Sequence, residues 1–289
     1  MMFILVLVMH GFKVFERDIL CIFTKQILVS VYYLPMIVFR YDKTYEGLLT
    51  AVFDAYNRKI FPDKLLGLED IEPLFVTESY TVLTQEDKSG RVWKGLEKKA
   101  GKNTLNMLTY VWLSELPGSD ELIFRYIRKT FDSKISIETN YADDDVLEVQ
   151  KVARKVSHEK HRMIEFVRFQ KAADDIFFAP ISPDHNCLPL TISHFKDRFA
   201  DQKWIIYDTK RNYGFFYDLK TVTEMTLDST ELFPEGKLDE KLMAEDEKVF
   251  QNLWKAYFKS LTIKERINPK LHRQHLPKRY WKYLTEKQW

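Results

Sequence analysis

The feature that most constrains this chain is a change of hydrophobic period part-way along it. Tyr45, Leu48, Leu49, Val52, Phe53 and Tyr56 fall on one face of an α-helix, and Thr44 is placed to cap it. From 85 to 134 the pattern predicts three helical pieces. The first carries Arg91, Lys94, Lys98 and Lys99 and ends at Gly101. The second, 104–116, is apolar nearly all round and is expected to be buried. The third follows Pro117-Gly118, with Ser119 as its cap and Leu122, Ile123, Tyr126 and Ile127 as its inner stripe. A fourth helix starts at Asp143, Asp144 and Asp145, whose charges suit a helix N-terminus, and continues through Val149, Val152, Ala153 and Val156.

Beyond that point the period shortens. Residues 163–169, 176–181, 203–208, 213–217 and 221–227 are short aromatic and β-branched runs, which predict strands. A hairpin-like turn lies over 208–212, and 188–199 interrupts the set as a helix. After Pro234-Glu235-Gly236 a long helix places Val249, Phe250, Leu253, Trp254, Tyr257, Phe258 and Leu261 on one face. Upstream, 36–41 reads as a strand, and 57–85 as irregular with Pro62 and Pro73 as breakers. The expected class is α+β: a helical N-terminal half packed with a mostly antiparallel sheet, a long C-terminal helix and a basic tail.

Residues 36–289 are expected to form a single domain, and 1–35 an N-terminal extension. Met1 to Met9 is a run of nine apolar residues, well short of the roughly 18 that a spanning helix needs. No basic residue precedes it, so it lacks the start of a secretory signal. The expectation is a cytoplasmic protein with no membrane association. Two distant cysteines, Cys21 and Cys187, fit a reducing compartment and exclude a Cys-x-x-Cys metal site. Nine glycines, with no glycine-rich phosphate loop and no Gly-x-Ser-x-Gly elbow, predict no nucleotide-binding loop, and no cofactor or metal is expected.

The densest polar segment is His158-Glu159-Lys160-His161-Arg162, running into 163–169. His158 and His161 share a helical face and could hold a metal with Glu165; a solvated helix end with a Glu159–Arg162 pair explains the same spacing. Arg168 lies among apolar residues, so it needs an acid or a phosphate as partner. Asp184-His185 is compatible with water activation, but the favoured reading has Asp184 capping the helix that follows. His194 and Arg198 belong to the same group, and Asp208 and Arg211 flank a turn that they would stabilise. Glu159, His161, Arg168, Asp184 and His185 are the catalytic candidates; Arg162, Arg198, Asp208 and Arg211 are structural or phosphate-binding.

The C-terminal tail is the binding candidate. Residues 251–289 hold ten Lys or Arg against two Glu, a local charge of +8 in a chain of formal charge +2. Lys270, Arg273, Lys278, Arg279 and Lys282 interleave with Tyr280 and Trp281, as in sites where cations track phosphates and rings stack on bases. The competing reading pins Tyr280, Trp281 and Leu284 onto the core while the cations face water.

Five stretches in order resemble one family: IVFRYDKTYEGLLTAVFDAY, HEKHRMIEFVRF, PDH followed by HFKDRF, WIIYDTKR, and INPKLHRQHLPKRYWKYLTE. They are similar to a bacterial family labelled "probable DNA metabolism protein", a domain of unknown function found beside a radical SAM protein of DNA modification or repair and fused to uracil-DNA glycosylase-like domains. The resemblance covers most of 36–286 and leaves no room for the glycosylase-like block. It implies a DNA metabolism or repair accessory protein that binds single-stranded or damaged DNA and works with a radical SAM partner. Two alternatives stand beside it: an enzyme acting directly on damaged DNA, glycosylase-like or hydrolytic, and a protein–protein adaptor without DNA contact.

Overall fold

The computed structural model describes residues 36–227 and 242–287. The expectations for 1–35, including Cys21, lie outside these residues. Two compact units share the described chain. The first comprises residues 36–99 with 127–132, and the second 100–126 with 133–227 and 242–287. Sequence reasoning takes 36–289 as one domain.

The first unit is built on a three-stranded sheet in the order β2-β1-β3. Its strands are β1 (Met36–Tyr41), β2 (Lys64–Gly67) and β3 (Val76–Thr81), and both neighbours run parallel to β1. Helix α1 (Tyr45–Arg58) supplies the crossover from β1 to β2 that a parallel pair requires. Thr44 caps it as its sequence predicts: the Oγ1 accepts from the Gly47 amide at 2.9 Å. Lys59 ends it in the left-handed conformation, at φ 58°. The region 57–85 is therefore not irregular throughout. β2 is four residues long and β3 leaves most of its residues exposed, so neither has the alternation that marks a strand in sequence.

Helix α2 (Glu86–Leu113) is interrupted at Gly101, whose φ of 77° is a conformation that side chains disfavour. This is the break expected there. Helix α3 (Ser119–Asp132) follows, with Ile123, Tyr126 and Ile127 fully buried. The stretch 104–116 is buried along one side through Leu105, Leu108 and Val111, while Asn106 is exposed.

The second unit carries a five-stranded mixed sheet, in the order β4-β5-β6-β7-β8. Its strands are β4 (Gln170–Lys171), β5 (Phe177–Ile181), β6 (Trp204–Asp208), β7 (Tyr213–Tyr217) and β8 (Val222–Met225). The β5–β6 pair is parallel and the other pairs are antiparallel. With the first sheet wholly parallel, the mostly antiparallel expectation holds only in part. Its failure has a local cause: the helix predicted over 188–199 forms as a 3-10 turn (Leu188–Leu190) and α5 (Ile192–Arg198), and makes β5 to β6 a crossover.

Helix α4 (Asp144–Phe166) corrects another expectation. Residues 163–166 continue the helix instead of opening a strand, because Met163 stays in phase with its buried Val149, Val152 and Val156. Asp143 caps it through Oδ1, which accepts from the Asp145 amide at 2.9 Å. Helix α6 (Glu247–Leu261) and a short α7 (Pro269–His275) are the remaining α-helices among the described residues. The tail then coils into a 3-10 segment, Lys278–Tyr283, that returns to the core. Leu276, Tyr280 and Leu284 pack there with Val156, Met163, Ile181, Leu188, Phe195, Trp204 and Ile206.

Candidate functional site

Two sequence-distant segments converge on Glu159. Its position in α4 is in phase with the apolar stripe of Val152, Val156 and Met163, so the helix turns its carboxylate inward. The residue is 2% exposed. A buried carboxylate costs several kcal/mol unless it is fully paired, at roughly this scale for an unpaired ion. Here Oε1 accepts from the Tyr280 hydroxyl at 2.6 Å, the Arg279 guanidinium at 2.9 Å and the Asp184 amide at 3.0 Å. Oε2 accepts from the His185 amide at 2.7 Å. Burial opposes the charge, but the Tyr280 hydroxyl, the two loop amides and Arg279 outweigh it and hold the carboxyl below the usual glutamate range. A carboxylate held by four donors, three of them on Oε1, is an anchor for the segments that supply them. The Glu159–Arg162 pair considered from sequence does not form, since Glu159 faces the core.

Arg279 also contacts Asp184 Oδ2 at 3.0 Å. Asp184 is thus an ion-pair partner, while the 3-10 turn and α5 that follow it have no side-chain cap hydrogen bond. His185 Nδ1 lies 2.9 Å from the Ser114 carbonyl oxygen. A carbonyl only accepts, so Nδ1 donates this hydrogen bond.

A second cluster lies at the end of β6. Asp208 is fully buried; its Oδ1 accepts from the Lys210 and Arg211 amides, and Oδ2 from Arg211 Nη1 at 2.8 Å. Burial pushes the Asp208 carboxyl up from its ordinary value against the pull of Arg211. Arg211 reaches Glu115 at 2.6 Å and also donates to the Pro183 and Asp184 carbonyls. The turn role expected for Asp208 and Arg211 is what the geometry serves, and it extends to the Asp184 loop.

A third clasp ties the chain end down. Arg168 follows α4 in a half-buried position, and its Nη2 meets Glu286 at 3.0 Å. Glu286 is 3% exposed and also accepts from Trp254 Nε1 at 2.9 Å. The acid that Arg168 needed is therefore supplied by the basic tail itself. Glu286 is one of only two carboxylates in residues 251–289, and that rarity was the available clue.

The remaining candidates disperse. His161 is exposed on α4, with Nε2 3.2 Å from Glu165. Among the described residues no group of three or more His, Cys, Asp or Glu is arranged to hold a metal ion. Arg162 is half-buried on α4, and Arg198 is exposed on α5. Lys270, Arg273, Lys278 and Lys282 are exposed, whereas Tyr280 is buried and Trp281 half-buried, its Nε1 donating to the Leu276 carbonyl at 3.1 Å. The tail therefore separates into an inner set of rings and an outer set of cations.

A groove of about 1130 Å³ runs between α6 and the α4 end, with α5 alongside. Arg168, Arg198, Phe199, Phe250, Trp254 and Tyr257 are among its lining side chains. No described helix is long and apolar enough to cross a membrane.

Residues 117–286 match the model of a family described as a domain of unknown function, DUF4130. The chain belongs to that family. All three arginine–carboxylate clusters use residues of the DUF4130 region, with Glu115 just outside it. Comparison with curated proteins and with solved structures returns no match.

Proposed function

We propose that this protein is an accessory factor of DNA metabolism that grips the sugar–phosphate backbone of single-stranded or damaged DNA and works beside a radical SAM partner. The reading rests on the resemblance and on one observation. Tyr280, Tyr283 and Leu284 fix the tail to the core, leaving Lys270, Arg273, Lys278 and Lys282 exposed on an ordered segment. Cations held on ordered backbone lose less freedom on binding than cations of a loose tail. With Tyr280 buried, contact falls on phosphates more than on bases, and binding is then sequence-independent and salt-sensitive. Fluorescence anisotropy with a labelled single-stranded oligonucleotide tests it. Affinity should fall when the four cations are replaced by Ala, and absence of binding at low salt overturns the proposal.

The adaptor reading keeps a specific support. Arg168, Arg211 and Arg279 are each engaged by a buried carboxylate, so none of them is free for a polyanion. Co-purification of a radical SAM partner with the four-cation variant would favour that reading. For direct action on DNA, His185 is the candidate base, its ring oriented by Nδ1 against the Ser114 carbonyl; turnover of lesion-bearing DNA that is lost in His185→Ala would establish it.

A further inference from the structure

Helix α6 turns three rings toward the groove. Phe250, Trp254 and Tyr257 line it and are 57%, 38% and 54% exposed, and the ring centres of Trp254 and Tyr257 lie 5.7 Å apart. Phe169, Phe177 and Phe199 line it from other segments. In all, seven of the lining residues are Phe, Trp or Tyr and three are aliphatic. A lipid tail or an aliphatic peptide asks only for apolar area. A lining dominated by rings selects a flat, π-rich occupant.

The charges of the lining cancel. Arg168, Lys171 and Arg198 stand against Glu165, Asp246 and Glu247, three of each sign, so the groove suits an uncharged occupant more than an anion. The unbalanced positive charge lies beside it, on the tail. Thr285 lines the groove, Glu286 accepts from Trp254 Nε1 at 2.9 Å, and Lys287 Nζ lies 4.9 Å from the Phe258 ring centre. Lys282 is exposed three residues before Thr285, a reach of at most ~11 Å of chain. An uncharged, ring-lined groove is thus bordered by cations. A base joined to its phosphate has the same division of charge. The groove's volume of about 1130 Å³ exceeds the roughly 300–1,000 Å³ of a drug-sized pocket, which leaves room for more than one base.

We infer that this groove takes unstacked bases of the single strand whose phosphates the tail cations hold. The inference rests on the DNA reading above and adds the base site that it lacks, since Tyr280 is buried. A duplex keeps its bases paired and stacked, so the groove confers a preference for single-stranded or damaged DNA. Every base presents a π-face, so the site is tolerant of sequence.

Fluorescence anisotropy of the full chain with two labelled strands of equal length tests this. One is oligothymidylate, and the other carries abasic tetrahydrofuran at every position. The thymidylate strand should bind more tightly by about five-fold or more, the factor that ~1 kcal/mol of stacking supplies. Phe250→Leu with Tyr257→Leu keeps the apolar area and removes two rings. It should bring the two strands together, with the salt slope and circular dichroism unchanged because both positions are exposed. Equal binding of the two strands by the wild type overturns the inference and leaves the phosphate grip standing. So does a preference for thymidylate that survives the double substitution. Binding of neither strand at low salt overturns both readings.

Discussion

Arg279 and Glu159 stand 120 residues apart in sequence and 2.9 Å apart in the fold. The contact fastens the C-terminal tail to helix α4 at the same carboxylate that holds the Asp184-His185 loop. Replacing Glu159 by Ala leaves the Tyr280 hydroxyl and two loop amides without their acceptor. A loss of about 3 kcal/mol is expected. Arg279→Ala should cost less, about 1–2 kcal/mol, because the other three donors remain. Urea unfolding of the two variants checks the order as well as the size, and a larger cost for Arg279→Ala would refute the anchor role of Glu159.

Acid should loosen these anchors. The Glu159 and Glu286 carboxyls are held below the ordinary glutamate value despite burial, by hydrogen bonds and, for Glu286, also by Arg168. A lowered folded pKa stabilises above the unfolded value, about 4.3, and that contribution is lost as pH falls through the folded one. Asp208, pushed up by burial, has the opposite sign: its contribution fades as pH rises through its folded value. Urea midpoints taken between about pH 6 and 3 should fall for the wild type and fall less steeply for Glu159→Gln. Parallel curves would contradict this.

The Glu286 clasp can be read by fluorescence. Trp254 donates to Glu286 at 2.9 Å and lies beside Arg168, whose guanidinium is 5.7 Å from its ring. Glu286→Gln should shift the emission of Trp254, isolated as the difference from a Trp254→Phe background. An unchanged difference spectrum would mean that the indole does not depend on this acid.

In the DNA assay, each phosphate contact removed should lower the slope of log affinity against log salt by about 0.7 for a single strand. Lys278→Ala and Lys282→Ala should do so singly and additively. Trp281→Ala should reduce stability more than affinity, because its indole is tied to the Leu276 carbonyl and lies 5.7 Å from the His272 ring. A Trp281→Ala variant that folds with native stability and has lost DNA would show instead that the ring stacks on bases.

Gly214 tests the sheet. A Cβ built there would stand 2.5 Å from the Ile206 carbonyl oxygen and 3.0 Å from the Tyr207 Cα, both backbone atoms that cannot step aside cheaply. Gly214→Ala should therefore cost about 3 kcal/mol, at the upper end for an overpacked site. Thermal unfolding measures it, and a neutral substitution would place β7 farther from β6 than described.

The sequence by itself determined the helices whose apolar residues repeat over several turns, the caps at Thr44 and Asp143, and the break at Gly101, since these depend on neighbours within a turn or two. It also carried the strands that became β5 to β8, whose aromatic and β-branched runs are strong. It misjudged 163–166 because a buried helix end rich in Met, Ile and Phe looks like a strand when the phase with Val156 is not followed. β2 and β3 escaped because short or exposed strands are stabilised by pairing with β1 and not by their own pattern. Which cations of the tail face solvent was decided by tertiary structure alone. Glu159, Asp184 and Glu286 claim Arg279 and Arg168 through contacts more than 90 residues long in sequence, and a charge buried at such distance can be paired only when the fold brings its partner to it.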